Sequence, residues 1–300
     1  MDDRDAKQFE LQRPLMLAIA YRMLGSITEA EDIVQEAYLR YQTTAIEQIV
    51  SHKAFLSTIV TRLCLNQLQS ARSQRQTYVG PWLPEPLPVD LEEQFTPTAQ
   101  VELHESLSMA FLVLLEQLTP LERAIFLLRE VFSYDYAEIA VILDKTEIAC
   151  RQVFSRAKKH IQAHRPRFTP APDTHQQMLH QFIQAVNSGE LAGLVHLLAD
   201  EVTLWADSGG KGRGAVIKPL YGCATVARFL LASRNFNPEA LQAEVGTVNG
   251  ESVLLLRADH VIRLVIFIGI EQEKVSLIRV IGNPDKLKWL NQRFDKRDVT

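Results

Sequence analysis

Two stretches of this chain carry the residue types that contact nucleic acid. Residues 61–76 hold Arg62, Arg72 and Arg75 and no acid. Residues 151–167 hold six Lys or Arg and no acid. In the first stretch Arg62, Asn66, Gln69 and Ser73 recur at i, i+4, i+7 and i+11, which is one face of a helix. Arg72 and Arg75 extend that face. Guanidinium and amide groups without carboxylates suit both phosphates and base edges. A plain solvated helix is the alternative, and sixteen residues without an acid disfavour it. In the second stretch Arg151, Gln152, Ser155, Arg156, Lys158 and Lys159 lie outward, while Cys150, Val153, Phe154, Ala157 and Ile161 lie inward. Arg151 and Gln152 suit base edges, and Lys158 and Lys159 suit phosphate. Residues 82–116 between them carry seven acids and no Lys or Arg, so the net charge of −4 conceals a segregated pattern.

Other chemistry is weakly supported. His160 and His164 stand i, i+4, a metal-binding geometry, but no third ligand is near. A charged helix end explains them better. Asp207-Ser208-Gly209-Gly210-Lys211 lacks the spacing of a phosphate-binding loop, so its glycines are expected to allow close backbone approach. Asp207, Tyr221, Asp259 and His260 can be imagined around a pocket as acid and base, although strand-edge solvation accounts more simply for the last two. No Ser-His-Asp grouping, CxxC or HExxH occurs, and neither a catalytic residue, a metal nor a cofactor is expected.

The elements that position these residues follow from periodicity and caps. A helix over Arg13–Leu24 should stop at Gly25. Thr28 with Glu31 should cap a second helix that leaves Asp32, Gln35, Glu36 and Arg40 outside, a face that composition assigns to solvent. Ser51 opens a third helix running to about Gln76. An acidic tether is expected over Val89–Pro97, then a helix from about Thr98 to Leu118. Thr119-Pro120-Leu121-Glu122 starts the next helix, to near Phe132. Tyr136–Leu143, a turn at Asp144-Lys145 and a helix capped by Thr146 form a helix-turn-helix. Beyond the proline-rich residues 165–172 come two helices, then strands near 202–206, 252–258, 261–270 and 274–281 with a helix near 223–234: an α+β domain.

Tyr78-Val79-Gly80-Pro81-Trp82-Leu83-Pro84-Glu85-Pro86-Leu87-Pro88 cannot be helix or central strand. It is either a stiff spacer or a docking segment. No apolar run is long enough to span a membrane, the acidic start is not a secretory signal, and three scattered cysteines read as reduced, cytoplasmic core residues.

The two helical blocks resemble sigma-70 factors of the extracytoplasmic function (ECF) type. Ala20–Ser26 with Ala30–Arg40 is similar to sigma region 2.1–2.2, Ala54–Gln76 to regions 2.3–2.4, and Leu118–Ala157 to region 4. The whole chain resembles the SigJ-like subgroup with a C-terminal SnoaL-like extension. Its linker signature is Tyr78–Pro86, its aspartate-glycine-lysine motif is Asp207–Lys211 and its NPDKL motif is Asn283-Pro284-Asp285-Lys286-Leu287. Ser208 stands where that motif has glycine. The resemblance implies three modules: an all-α region 2 bundle (1–78), an all-α region 4 helix-turn-helix (98–165) and an α+β cone-shaped SnoaL-like, cystatin-like domain (174–300), with linkers at 79–97 and 166–173. It implies core RNA polymerase (β′ and β) and promoter DNA as partners. Asp32, Gln35, Glu36 and Arg40 would dock on polymerase. Arg62, Asn66, Gln69, Arg72 and Arg75 would meet the −10 element, and Thr146, Arg151, Gln152, Ser155, Arg156, Lys158 and Lys159 the −35 element. Regulation in cis would fall to Trp82, Leu83, Pro84, Glu85, Pro86, Asp207, Gly209, Gly210, Lys211 and Asn283–Leu287. A DNA-binding regulator fused to an enzyme-like or small-molecule-binding domain is the alternative. We expect Trp82–Pro86 to lie against Asp207–Lys211, the Asn283–Leu287 turn, or both.

Overall fold

The helical part begins with α1 (Asp3–Leu24), α2 (Ile27–Gln42) and α3 (His52–Arg75). Gly25 ends α1 at φ 70°, where its amide donates to Tyr21 O (2.7 Å). The cap of the second helix lies two residues earlier than expected. Ser26 is its cap, accepting from Glu29 N (3.2 Å), because the glycine stop leaves the serine hydroxyl at the right offset. Ile27, Ala30, Ile33, Val34, Ala37 and Tyr41 form its buried stripe. Ser51 Oγ accepts from Ala54 N (3.3 Å) and opens α3.

The computed structural model describes residues 3–44, 49–75, 78–95, 106–164, 172–211, 217–233 and 241–294, without side-chain detail for 3–5, 71–75, 172 and 294. Its contacts separate two units: Met1–Gln76 with Asp90–Arg165, and Thr77–Val89 with Pro166–Thr300. The two helical blocks therefore share one unit, and the segment between them is divided.

Val89–Phe95, in the first unit from Asp90 on, is a 3₁₀ turn and not an open tether. Its acidic composition hides two anchors, Leu91 and Phe95, both buried. Phe95 stacks edge-on against Tyr21 at 5.3 Å, and its carbonyl accepts from Arg22 (2.9 Å). The expected helix start at Thr98 lies outside the described residues; α4 (Met109–Glu116) is capped by Ser108. Then come α5 (Pro120–Phe126), which runs on as a π turn to Val131, α6 (Tyr136–Leu143) and α7 (Glu147–His164). Capping boxes at Thr119–Glu122 and Asp135–Glu138 set the starts of α5 and α6.

Buried arginines join the two blocks. Arg22, 1% exposed, also donates to Ser106 Oγ (2.8 Å), and burial pulls its pKa down to about 9. Arg123 donates to Met23 O (2.6 Å) at the end of α1 and to Glu116 (2.6 Å). A cation at a helix C-terminus satisfies carbonyls that the helix itself leaves open. Ser57 and Tyr134 share a buried 2.6 Å hydrogen bond.

The second unit contains α8 (Pro172–Ser188), α9 (Leu191–Leu197), β1 (Leu198–Asp207), β2 (Leu220–Tyr221), α10 (Cys223–Ser233), β3 (Gln242–Val248), β4 (Glu251–Ala258), β5 (Val261–Glu271), β6 (Lys274–Ile281) and α11 (Lys288–Phe294). The sheet order is β2-β1-β6-β5-β4-β3, with β1 and β6 parallel and the other pairs antiparallel. One sheet face packs Leu204, Leu254, Ile266, Ile268 and Ile278 against Met178, Leu179, Phe182 and Val226 of the helices. The strands β2 and β3 were not anticipated: β2 is a two-residue element, and β3 is a largely exposed edge strand of mixed polar and small residues.

Candidate nucleic-acid interface and linker clamp

The turn between α6 and α7 is built on Asp144, which takes left-handed φ 53°, ψ 55°. Aspartate tolerates this where glycine is the usual choice. Lys145 N then reaches back to Ala140 O (3.0 Å), and Thr146 Oγ1 caps α7 by accepting from Ala149 N (3.2 Å). Cys150, Val153, Ala157 and Ile161 face the core, and Phe154 is half-buried. Arg151, Gln152, Ser155, Arg156 and Lys159 are exposed, and Lys158 is half-buried. The Arg151 guanidinium lies 4.5 Å over the Tyr136 ring and 3.3 Å from Glu147. Lys158 pairs with Glu130 at 2.8 Å. His164 Nδ1 contacts His160 O (2.8 Å) and His160 Nε2 contacts Gln117 (3.3 Å), so both rings serve the helix end.

On α3 the expected face is divided. Asn66 and Gln69 are exposed. Arg62 donates to Ile142 O (2.9 Å) and Val141 O (3.3 Å), at the C-terminus of α6. Its guanidinium is thus committed to the helix-turn-helix. The side chains of Arg72 and Arg75 lie outside the described residues. Asp32 and Gln35 are exposed on α2, and Glu36 pairs with Arg40 at 2.8 Å. Asp32, Glu36, Arg40 and Asn66 line one groove of about 500 Å³ between α2 and α3.

In the second unit the proline segment and the two distant motifs meet on one carboxylate. Asp207 is 1% exposed at the end of β1. Its Oδ1 accepts from Tyr78 OH (2.5 Å) and Gly209 N (3.1 Å). Its Oδ2 accepts from Leu83 N (2.8 Å) and Lys286 Nζ (2.6 Å). Lys286 also donates to Leu83 O and lies 4.1 Å over the Trp82 ring. Asn283 Nδ2 donates to Tyr78 OH (2.9 Å), while Asn283 N donates to Asp207 O (3.0 Å). Burial, then the Asp207 hydrogen bond, push the Tyr78 phenol above its ordinary value, so it stays a donor. Gly209 and Gly210 take φ 60° and 72°. A Cβ on Gly209 would fall 2.6 Å from Asn283 Nδ2, and one on Gly210 2.8 Å from Val79 Cβ. Ser208 is not among the described positive-φ residues, so its departure from glycine brings no strain of that kind.

Leu83 and Leu87 are buried, as are Pro81, Pro84, Glu85, Pro86 and Pro88, whereas Trp82 is half-buried. Burying each leucine contributes about 1.5–3 kcal/mol. Leu87 N donates to Asn249 Oδ1 (2.9 Å), Asn249 N donates to Leu87 O (3.0 Å), and Pro88 bridges Val248. Lys211 pairs with Asp285 at 2.6 Å on the exposed rim, beside exposed Pro284, while Leu287 is buried.

Two contributors were missed. Tyr78 was read only as part of the linker signature. Asn249 was detectable, since Asn249-Gly250 between two apolar runs is a hairpin signal. The imagined acid-base pocket does not assemble. Asp207 is fully engaged, Asp259 and His260 form the exposed β4–β5 turn, and Tyr221 is exposed on β2. Among the described residues no group of three metal-ligating side chains occurs.

A helical bundle, a helix-turn-helix with a polar outer face and an α+β cone gripping the intervening linker together define a sigma-70 architecture. Residues 9–74 match Sigma-70 region 2, and residues 108–161 match Sigma-70, region 4. The ECF RNA polymerase sigma factor SigJ of Mycobacterium tuberculosis is 37% identical over 250 residues, covering 82% of this chain and 79% of that protein. A probable ECF RNA polymerase sigma factor of the same species, SigI, is 29% identical over 277 residues, 92% of each chain. The crystal structure of M. tuberculosis SigJ superposes with TM-score 0.71 at 31% identity, over 94% of this chain and 98% of that one. The chain therefore belongs to the ECF sigma factors of the sigma-70 family. It is an alternative sigma factor that directs transcription by RNA polymerase from promoter DNA, and its C-terminal part is an α+β domain.

Proposed function

We propose that the C-terminal domain restrains this sigma factor in cis by holding residues 78–88. The observation that carries this reading is the Asp207 carboxylate, which accepts from Tyr78 and Leu83 of the linker and from Lys286 of the NPDKL motif. In this reading Thr146, Arg151, Gln152, Ser155, Arg156, Lys158 and Lys159 contact the −35 element. Arg62, Asn66, Gln69, Arg72 and Arg75 contact the −10 element, and Asp32, Gln35, Glu36 and Arg40 dock on polymerase β′ in the cytoplasm. Arg62 must leave the α6 carbonyls before it meets DNA, which supports a restrained free protein.

The C-terminal domain acts as a regulator and not as an enzyme. Its helix–sheet interior is filled by Met178, Leu179, Phe182, Leu204 and Ile268, and the one buried aspartate among its described residues is spent on the linker. A small-molecule ligand would then act by loosening the clamp. The test is transcription with core RNA polymerase using the chain ended after Pro172. The restrained form predicts more initiation per polymerase than the full chain gives, and unaltered initiation would remove the regulatory role.

A further inference from the structure

The N-terminal turn of α7 carries an apolar side chain that neither the core nor the polar face explains. Ile148 is 70% exposed, although Cys150, Val153, Ala157 and Ile161 provide the inward stripe of the same helix. It stands i, i+3, i+4 and i+7 with Arg151, Gln152 and Ser155, all exposed. The Thr146 cap fixes this first turn, and a β-branched side chain in a helix is nearly confined to one rotamer. The methyl groups of Ile148 therefore have a set position beside the two side chains suited to base edges.

In the major groove, the apolar feature on a base edge is the 5-methyl group of thymine. The start of the second helix of a helix-turn-helix is the part that approaches base edges. Arg151 suits guanine and Gln152 adenine, and neither offers an apolar surface to a thymine methyl. We propose that Ile148 is a specificity-determining residue that contacts the 5-methyl group of one thymine in the −35 segment, next to the bases met by Arg151 and Gln152. This rests on the assignment of α7 to the −35 element.

The test uses the full chain assembled with core RNA polymerase and a duplex library randomised across the −35 segment, with bound molecules recovered and sequenced. Wild type should select thymine at one position. Ile148→Ala, at an exposed site where alanine favours the helix, should lose that preference alone. Replacing that thymidine by deoxyuridine, which lacks only the methyl, should weaken wild type about fourfold and leave Ile148→Ala unchanged. Equal wild-type binding of deoxyuridine and thymidine overturns the proposal, as does retention of the thymine preference in Ile148→Ala. Arg151→Ala separates the two levels. If its selected sequences match wild type at every position, the −35 assignment fails. If they change while those of Ile148→Ala do not, only the thymine contact fails.

Discussion

Replacing Asp207 by Asn should release the linker without unfolding the domain around it. The carboxylate side chain is fully buried and Lys286 is 12% exposed, so solvent screens the pair little. Removing one partner of a buried ion pair leaves the other uncompensated and costs about 3–5 kcal/mol. An Asn side chain also turns donors toward Leu83 N, Lys286 Nζ or Tyr78 OH, each of which needs an acceptor. The linker opens more cheaply than the sheet, since it holds few backbone bonds of its own. At about 1.4 kcal/mol per tenfold, local opening should rise by about two to three and a half orders of magnitude. Amide hydrogen exchange reads this directly. The Leu83 amide should lose protection by that factor and Leu87 by less, because Asn249 still holds it. Ile278, within the sheet, should keep its protection. Unchanged exchange at Leu83 would refute the clamp, and equal loss at Leu83 and Ile278 would show that Asp207 supports the whole domain instead.

Three further outcomes follow from the geometry. Gly210→Ala must hold φ 72° and meet Val79 Cβ at 2.8 Å, so it should weaken the linker seat by at least about 1–2 kcal/mol; wild-type Leu83 exchange would contradict this. Arg151→Ala should lose about 1–3 kcal/mol of −35 affinity, whereas replacing Lys158 and Lys159 together should weaken all sequences and flatten the salt dependence. Binding titrations on matched and mismatched duplexes separate the two, and a sequence-selective loss for the lysine pair would refute a phosphate role. The Thr119 hydrogen bonds hold the Glu122 carboxyl below its ordinary value. Its contribution is therefore present above the unfolded carboxylate range and disappears as pH falls through the folded value. Urea midpoints of wild type and Glu122→Gln should differ at about pH 6, and the difference should shrink as pH falls below the ordinary carboxylate range; a difference that persists unchanged in acid would refute this.

Much of this molecule was legible in the chain because its signals are local. Thr119 and Asp135 with glutamates three residues on, the turn at Asp144 and the α7 stripe each lie within a few residues. The clamp lies at the opposite limit. Tyr78 and Asp207 are separated by 129 residues, and Lys286 and Leu83 by 203, so periodicity says nothing of their pairing. The residues marked the Asp207 loop as a place of close backbone approach, but only the resemblance tied it to the linker and the NPDKL motif, and it left Tyr78 and Asn249 without a role. The burial of Phe95 was hidden by acidic neighbours. The engagement of Arg62 was hidden because an arginine that caps another helix has the same sequence signature as one that contacts DNA.

The central claim is that the C-terminal domain restrains initiation by holding the linker, and a switchable covalent lock tests it. Pro88 and Val248 form an antiparallel bridge pair, a separation that suits a disulfide. Pro88→Cys with Val248→Cys can be placed in the Asp207→Asn chain, with partly buried Cys223 replaced by serine. The measurement is single-round initiation with core RNA polymerase. The account predicts that the reduced protein initiates more than wild type, that oxidation returns it to the wild-type level and that reduction restores it. Equal initiation by the oxidised and reduced forms would contradict it.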